Sequence, residues 1–151
     1  MAGVRDILTW DNRKTQTMLK RAITHIGDLT PVMKIFGEYM LVQTEQRFVG
    51  EHDPDGRPWT PLAPATLRYK KTNKILTESG HRGGLRGTIT YQSDKRRMSY
   101  GTNKKYGAIH QFGGQTGRNH MVTIPARPYL GITNENMTEF YTIVKDYLEA
   151  D

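Results

Sequence analysis

The sequence predicts an α+β fold: two N-terminal helices, an antiparallel sheet of about four strands, and a C-terminal helix packed on that sheet. Three observations predict it. Apolar residues recur at helical spacing before residue 50 and again after residue 133. Glycines concentrate between those stretches, 9 of the 15 falling in residues 80–117. The runs between these glycines alternate and are rich in β-branched and aromatic residues, as in an antiparallel meander. With 151 residues the chain can bury a sizeable core, and it reads as a single domain, 1–151.

Residues 13–26 place Met18, Leu19, Ala22, Ile23 and Ile26 at helical spacing, with Asp11 or Asn12 as N-cap and Gly27 past the end. A second helix is predicted over 31–49. Thr30 serves as its N-cap, and Pro31 takes the first helical position, where a missing N–H does no harm. Val32, Ile35, Phe36, Tyr39, Met40 and Gln43 form its inner face, and Gly50 lies past its end. Gly37 weakens this helix by up to ~1 kcal/mol, which predicts a close helix contact there.

Residues 50–64 form a turn-rich connector. Pro54-Asp55-Gly56 suits a tight turn, four prolines exclude a regular helix, and Trp59 anchors the segment to a core or a neighbouring subunit. Residues 65–71 allow one short helical turn. Strands are predicted over 88–91, 97–100, 106–112 and 120–124, with a hairpin connection at 94–97 and a loop at 113–119. The last helix starts at Thr133 or Asn134 and aligns Met137, Phe140, Tyr141, Val144 and Leu148.

Composition narrows the function. There is no cysteine, which excludes disulfides and thiolate metal sites. No apolar run approaches the ~20 residues needed to span a bilayer, so a cytosolic product without membrane contact is expected. Hydrophobic content of 36% and mean hydropathy of −0.68 are low for a compact enzyme and predict an elongated shape or subunit contacts that bury more surface. Net charge is +7, yet residues 57–127 alone carry +12, with Glu78 and Asp94 their only acids. That patch suits phosphate backbones or acidic protein surfaces.

The chemistry-bearing side chains form no catalytic or metal-binding pattern. His110 and Gln111 sit in a predicted strand ending at Gly113-Gly114, without the activated nucleophile or charge partner a base needs. They are expected to hydrogen-bond across the sheet or at an interface. The five histidines have no metal-ligand spacing, and the acidic turn around His52 is expected to be solvated. Residues 80–87 hold glycines with Arg82 and Arg86, but lack the phosphate-loop signature and read as a loop that orders on assembly. Lys95, Arg96, Arg97, Lys104 and Lys105 are expected to flank one hairpin, interleaved with Tyr91, Tyr100 and Tyr106. Neither cofactor nor catalytic residue is predicted.

Five blocks, in order, carry a family resemblance. They are Asp28-Leu29-Thr30-Pro31-Val32-Met33; Arg47-Phe48 with Pro54-Asp55-Gly56, Trp59-Thr60-Pro61-Leu62 and Ala65-Thr66-Leu67; Ile75-Leu76-Thr77-Glu78-Ser79-Gly80 with Leu85-Arg86-Gly87-Thr88-Ile89; Tyr106-Gly107-Ala108-Ile109-His110-Gln111-Phe112-Gly113-Gly114; and Ile124-Pro125-Ala126-Arg127-Pro128-Tyr129-Leu130-Gly131-Ile132. Over about residues 15–149 the chain resembles the phage virion morphogenesis family, the tail-completion and head–tail joining proteins of Mu-like and related contractile-tailed phages. It departs in the inserted His81-Arg82-Gly83-Gly84 and in Gly107, where alanine is more usual.

The resemblance implies a structural virion protein, not an enzyme. It implies a ring, usually hexameric, in the neck, touching the tail tube or the head connector and any DNA passing through. Trp59, Arg82, Arg86, Lys95, Arg96, Arg97, Lys104, Lys105, His110, Gln111 and Arg127 become the candidates for interface or DNA-channel contact. Arg127, held between Ala126 and Pro128, is expected to meet a carboxylate within the subunit or, the favoured reading, across a ring interface. Loops 50–64, 80–87 and 113–119 are expected to order in the virion. The alternative readings are a DNA-binding accessory protein or an assembly chaperone of phage origin.

Overall fold

The structure, a computed structural model, describes residues 4–7, 13, 17, 20, 21, 24, 27–78 and 84–150. Strand β1 is Val4–Ile7, helix α1 Thr30–Gly50 and helix α2 Pro64–Tyr69. Strands β2, Thr90–Ser93, and β3, Met98–Thr102, follow. Helix α3 is Gly107–Phe112, β4 Gly114–Thr116, β5 Val122–Ile124 and α4 Asn134–Glu149. The apolar residues on which the expected helix 13–26 rests, Met18, Leu19, Ala22, Ile23 and Ile26, lie outside the described residues, as do its caps Asp11 and Asn12. Described positions Arg13, Thr17, Lys20, Arg21 and Thr24 are helical and exposed.

Helix α1 is the centre of the molecule. The Asp28 carboxylate, not the Thr30 hydroxyl, satisfies its first turn by accepting from Thr30 N at 2.9 Å. Those Thr30 hydrogen bonds also hold the Asp28 carboxyl below its ordinary pKa. The helix ends on Glu51 in the left-handed conformation, with Gly50 still inside it. A Cβ on Gly50 would stand 2.6 Å from the His52 ring, so this glycine admits the imidazole rather than breaking the helix. Val32, Met33, Phe36, Gly37, Met40, Thr44, Arg47 and Phe48 are buried, whereas Ile35 faces out.

Both β2 and β1 pair antiparallel with β3 in a sheet of order β1-β3-β2, with Tyr91 opposite Tyr100 and Val4 opposite Thr102. The turn at 94–97 closes through Asp94 N to Arg97 O at 2.9 Å. This sheet lies on α1. A Cβ on Gly37 would come within 2.4 Å of the Tyr91 ring, so the close contact there is with a strand, not a helix. The fold class is α+β as expected, but the layering differs. Helix α4 packs mainly on α1, where Phe140 meets Phe36 edge-on at 4.9 Å, rather than on the sheet. The strands form two sheets, because β4 and β5 pair only with each other.

Segment 106–112 corrects a second expectation: it is helical, not a strand. Gly113, at φ +71°, lets its N–H close on Ile109 O at 2.7 Å, the stop of a short helix. Seven residues are too few for alternation to separate the two periods. The connector is also tied down already. His52 bridges to Pro58, Asp53 N donates to Arg57 O at 2.8 Å, and Trp59 N donates to Glu51 O at 2.8 Å. Among the described residues no helix is long and apolar enough to cross a membrane.

Candidate functional site

The polar side chains of the molecule converge on one extended segment, 127–131. Pro128 has no N–H to satisfy, and its carbonyl accepts from Trp59 Nε1 at 2.7 Å. Gln111 Oε1 accepts from both Tyr129 N and Leu130 N at 3.0 Å, while its Nε2 donates to Leu130 O at 2.9 Å. Arg47 Nη1 donates to Tyr129 O at 3.0 Å. The Tyr100 hydroxyl donates to Gly131 O at 3.0 Å and accepts from Gly131 N at 2.8 Å. Every backbone polar group from residue 128 to residue 131 is thus satisfied by a side chain from elsewhere in the chain. A buried segment outside any sheet requires such satisfaction.

The clasp extends outward from that segment. Arg127 N donates to His110 O at 2.7 Å. The buried Arg127 guanidinium donates through Nε to Thr60 O at 2.7 Å and through Nη2 to Pro61 O at 2.9 Å. Its partners are therefore two carbonyls of its own connector, not the carboxylate expected from sequence. The connector supplies rigid acceptors because the Pro61 ring fixes the backbone dihedral there. Arg47 also reaches Asn136 Oδ1 at 3.3 Å, and Asn136 completes a capping box with Thr133 at the start of α4. Tyr129 seats its ring near Phe48 at 5.7 Å and donates its hydroxyl to Gly107 O at 2.9 Å. Burial raises the pKa of that hydroxyl well above its ordinary value.

A pocket of about 330 Å³ opens behind α3, lined by Leu62, Lys70, Leu76, Tyr106, His110 and Val122 among others. The His110 ring stands edge-on to Tyr106 at 6.0 Å. Its Nδ1 is buried without a hydrogen-bond partner among the described residues, contrary to the expected bond across a sheet or at an interface. Burial, with Arg127 and Lys70 nearby, pushes the His110 pKa below its ordinary value. Glu78 lines the same pocket, but among the described residues no side chain is hydrogen-bonded to Nδ1.

The remaining predicted residues scatter. Trp59 is buried in the core, edge-on to Phe48 at 5.5 Å. Arg86 forms a two-pronged ion pair with Glu45 of α1, with Nε at 2.9 and 3.0 Å, which raises its pKa. Arg82 lies outside the described residues. Lys95, Arg96 and Arg97 are exposed at the β2–β3 turn, and Lys104 and Lys105 follow the far end of β3. The two basic groups thus lie at opposite ends of the β2–β3 hairpin, separated by the five residues of β3, about 17 Å at the usual strand rise. Tyr100 belongs to the core, and half-buried Tyr91 packs against it. Sequence reasoning missed Arg47, Tyr100 and Asn136 as parts of the clasp. Arg47 carried one signal, since it falls seven residues after Met40 on the buried face of α1.

The phage virion morphogenesis family model matches residues 10–149. Mu-like prophage FluMu G protein 2 of Haemophilus influenzae is 40% identical over 132 residues, 87% of this chain and 86% of that protein. The putative capsid assembly protein G of Escherichia phage Mu is 26% identical over 139 residues, 87% of this chain and 89% of that protein. Mu-like prophage FluMu G protein 1 of Haemophilus influenzae is 29% identical over 106 residues, 68% of this chain and 67% of that protein. No solved structure matches the chain.

Proposed function

The chain belongs to the phage virion morphogenesis family, and from that premise we propose that it is a structural protein of a tailed phage particle. It completes the tail and joins it to the head, as a ring in the neck, hexameric by the family resemblance. The carrying observation is the clasp. Its polar side chains bind the chain's own backbone from residue 128 to residue 131. Such a network rigidifies a scaffold.

The clasp closes on both ends of the β4–β5 hairpin. Arg127 N is bonded to His110 O, and α3 and residues 125–131 flank the hairpin on either side. A rigid base that presents an exposed hairpin suits an assembly protein. Further copies of the chain, the tail tube and the head connector are the proposed partners. The phage Mu relative is described as a putative capsid assembly protein, which fits contact on the head side. The exposed Lys95, Arg96 and Arg97 are the proposed contact with passing DNA, through a salt-screened field.

Cryo-electron microscopy of the intact particle tests this. The expected result is density for this chain in a closed ring between tail tube and head connector. Absence of the chain from the particle overturns the reading in favour of an assembly chaperone or a DNA-binding accessory factor.

A further inference from the structure

The pocket behind α3, about 330 Å³, is lined by two cations that have no ion-pair partner among the described residues. Arg127 is only 6% exposed, and its guanidinium meets the carbonyls of Thr60 and Pro61. Its Nη1 has no partner among the described residues. Half-buried Lys70 donates its ammonium to Lys74 O, again a carbonyl. Carbonyls position a cation without cancelling its charge, and a desolvated charge left unpaired is costly. Burial lowers the pKa of both cations, and Arg127 lowers that of Lys70 further, against the weaker pull of Glu51 and Glu78. A third polar group, His110, brings to the same wall its buried, unpartnered Nδ1.

The remaining wall decides what fits. Leu62, Leu76, Leu85, Val122, Ile124 and Pro125 make most of it apolar. Glu78 is its one acid among the described residues. That side chain is exposed and lies against Gly84, where a Cβ would stand 3.1 Å from the carboxylate carbon. Glu51 accepts from Ile75 N at 2.8 Å and does not line the pocket. Lys70 and Arg127 against Glu78 therefore leave a single excess positive charge. One carboxylate balances it, whereas the nearly double charge of a phosphate ester overshoots. The volume lies at the small end of ligand pockets, about 300–1,000 Å³, so the carboxylate would be carried on one ring or one branched chain.

We propose that this pocket binds a monocarboxylate carried on a single apolar group, with its oxygens on Arg127 and Lys70 beside His110 and its apolar part against Leu62, Leu76 and Ile124. A free aromatic acid offers that chemistry, and so does the terminal carboxylate of a polypeptide ending in an apolar residue. The inference goes beyond the ring reading and does not depend on it, since every group it uses belongs to one chain.

Nuclear magnetic resonance of the full chain tests it, with benzoate as probe and the His110 ring signals, assigned through His110→Asn, as readout. Benzoate should shift those signals saturably and raise the His110 pKa, because an adjacent anion favours the imidazolium. Neutral benzamide should do neither. Lys70→Met should weaken benzoate binding about tenfold, the usual worth of a hydrogen bond to a charged group. Glu78→Gln, at an exposed position, should tighten it by removing a like charge. Acetyl-Ala-Phe binding more tightly than benzoate, and losing that affinity when its carboxylate is amidated, assigns the site to a chain end; the reverse order assigns it to a free acid. No saturable His110 shift with either acid, an equal response to benzamide, or tighter binding of phenyl phosphate overturns the proposal. So does a benzoate affinity left unchanged by both Lys70→Met and Glu78→Gln.

Discussion

Replacing Gln111 with alanine removes the most connected side chain of the clasp. The amide group makes three hydrogen bonds, accepting from Tyr129 N and Leu130 N and donating to Leu130 O. Tyr129 and Leu130 are both buried, so their freed backbone groups cannot all turn to water. Each unsatisfied buried group costs about 1–3 kcal/mol. Gln111 itself is only half-buried, so water entering the vacated space recovers part of the loss. The expected destabilisation is about 2–5 kcal/mol, against about 5–15 kcal/mol for a whole domain. Gln111→Glu keeps an acceptor for both amides, loses the donor to Leu130 O and sets a carboxylate oxygen against that carbonyl, for a loss of about 1–3 kcal/mol. The assay is urea unfolding followed by tryptophan fluorescence, since Trp59 Nε1 is bonded to Pro128 O in the same clasp. The stability order should be wild type, then Gln111→Glu, then Gln111→Ala. A loss below about 0.5 kcal/mol for Gln111→Ala, the range of ordinary surface changes, would refute the accounting.

Three further outcomes follow from the same geometry. Gly37→Ala sets a Cβ 2.4 Å from the Tyr91 ring and should cost about 1–3 kcal/mol in thermal or urea unfolding; the cost should largely vanish in a Tyr91→Ala background, and an unchanged cost there would place the clash elsewhere. The lowered His110 pKa means that the unfolded chain binds a proton more readily at this site, so its contribution to stability is complete above about pH 6.5 and is lost as pH falls through and below that value. His110→Asn should flatten the fall in stability between about pH 7.5 and about pH 5.5, and an identical slope in both proteins rejects a buried neutral imidazole. Alanine at Lys95, Arg96 and Arg97 together should lower the slope of log affinity against log salt for duplex DNA by about 2–3, read by fluorescence anisotropy; an unchanged slope removes this turn from DNA contact.

The two long helices are legible in the sequence because their signals are local. Pro31 marks the start of α1, and Thr133 caps α4 through the Asn136 amide. The inner face of α1 is only half legible. Ile35 shares helical spacing with Val32 and Phe36, yet it also begins the outward ridge with Val42 and Val49. Periodicity detects both stripes and does not say which one a sheet covers. Segment 106–112 misleads because its helix is a single short turn held by tertiary bonds, chiefly Gln111 and the Tyr129 hydroxyl on Gly107 O. Arg127 misleads because a guanidinium donates equally well to carbonyls, and the carbonyls of Thr60 and Pro61 lie 67 and 66 residues away in sequence. No pattern along the chain records that proximity.

The blocks that carry the family resemblance are far apart in sequence and meet in the clasp. Arg47 and Trp59 come from one, Gly107, His110 and Gln111 from another, and Arg127 to Gly131 from the last. Their common physical task is to satisfy a segment that has no sheet partner, which demands particular donors and acceptors at particular places.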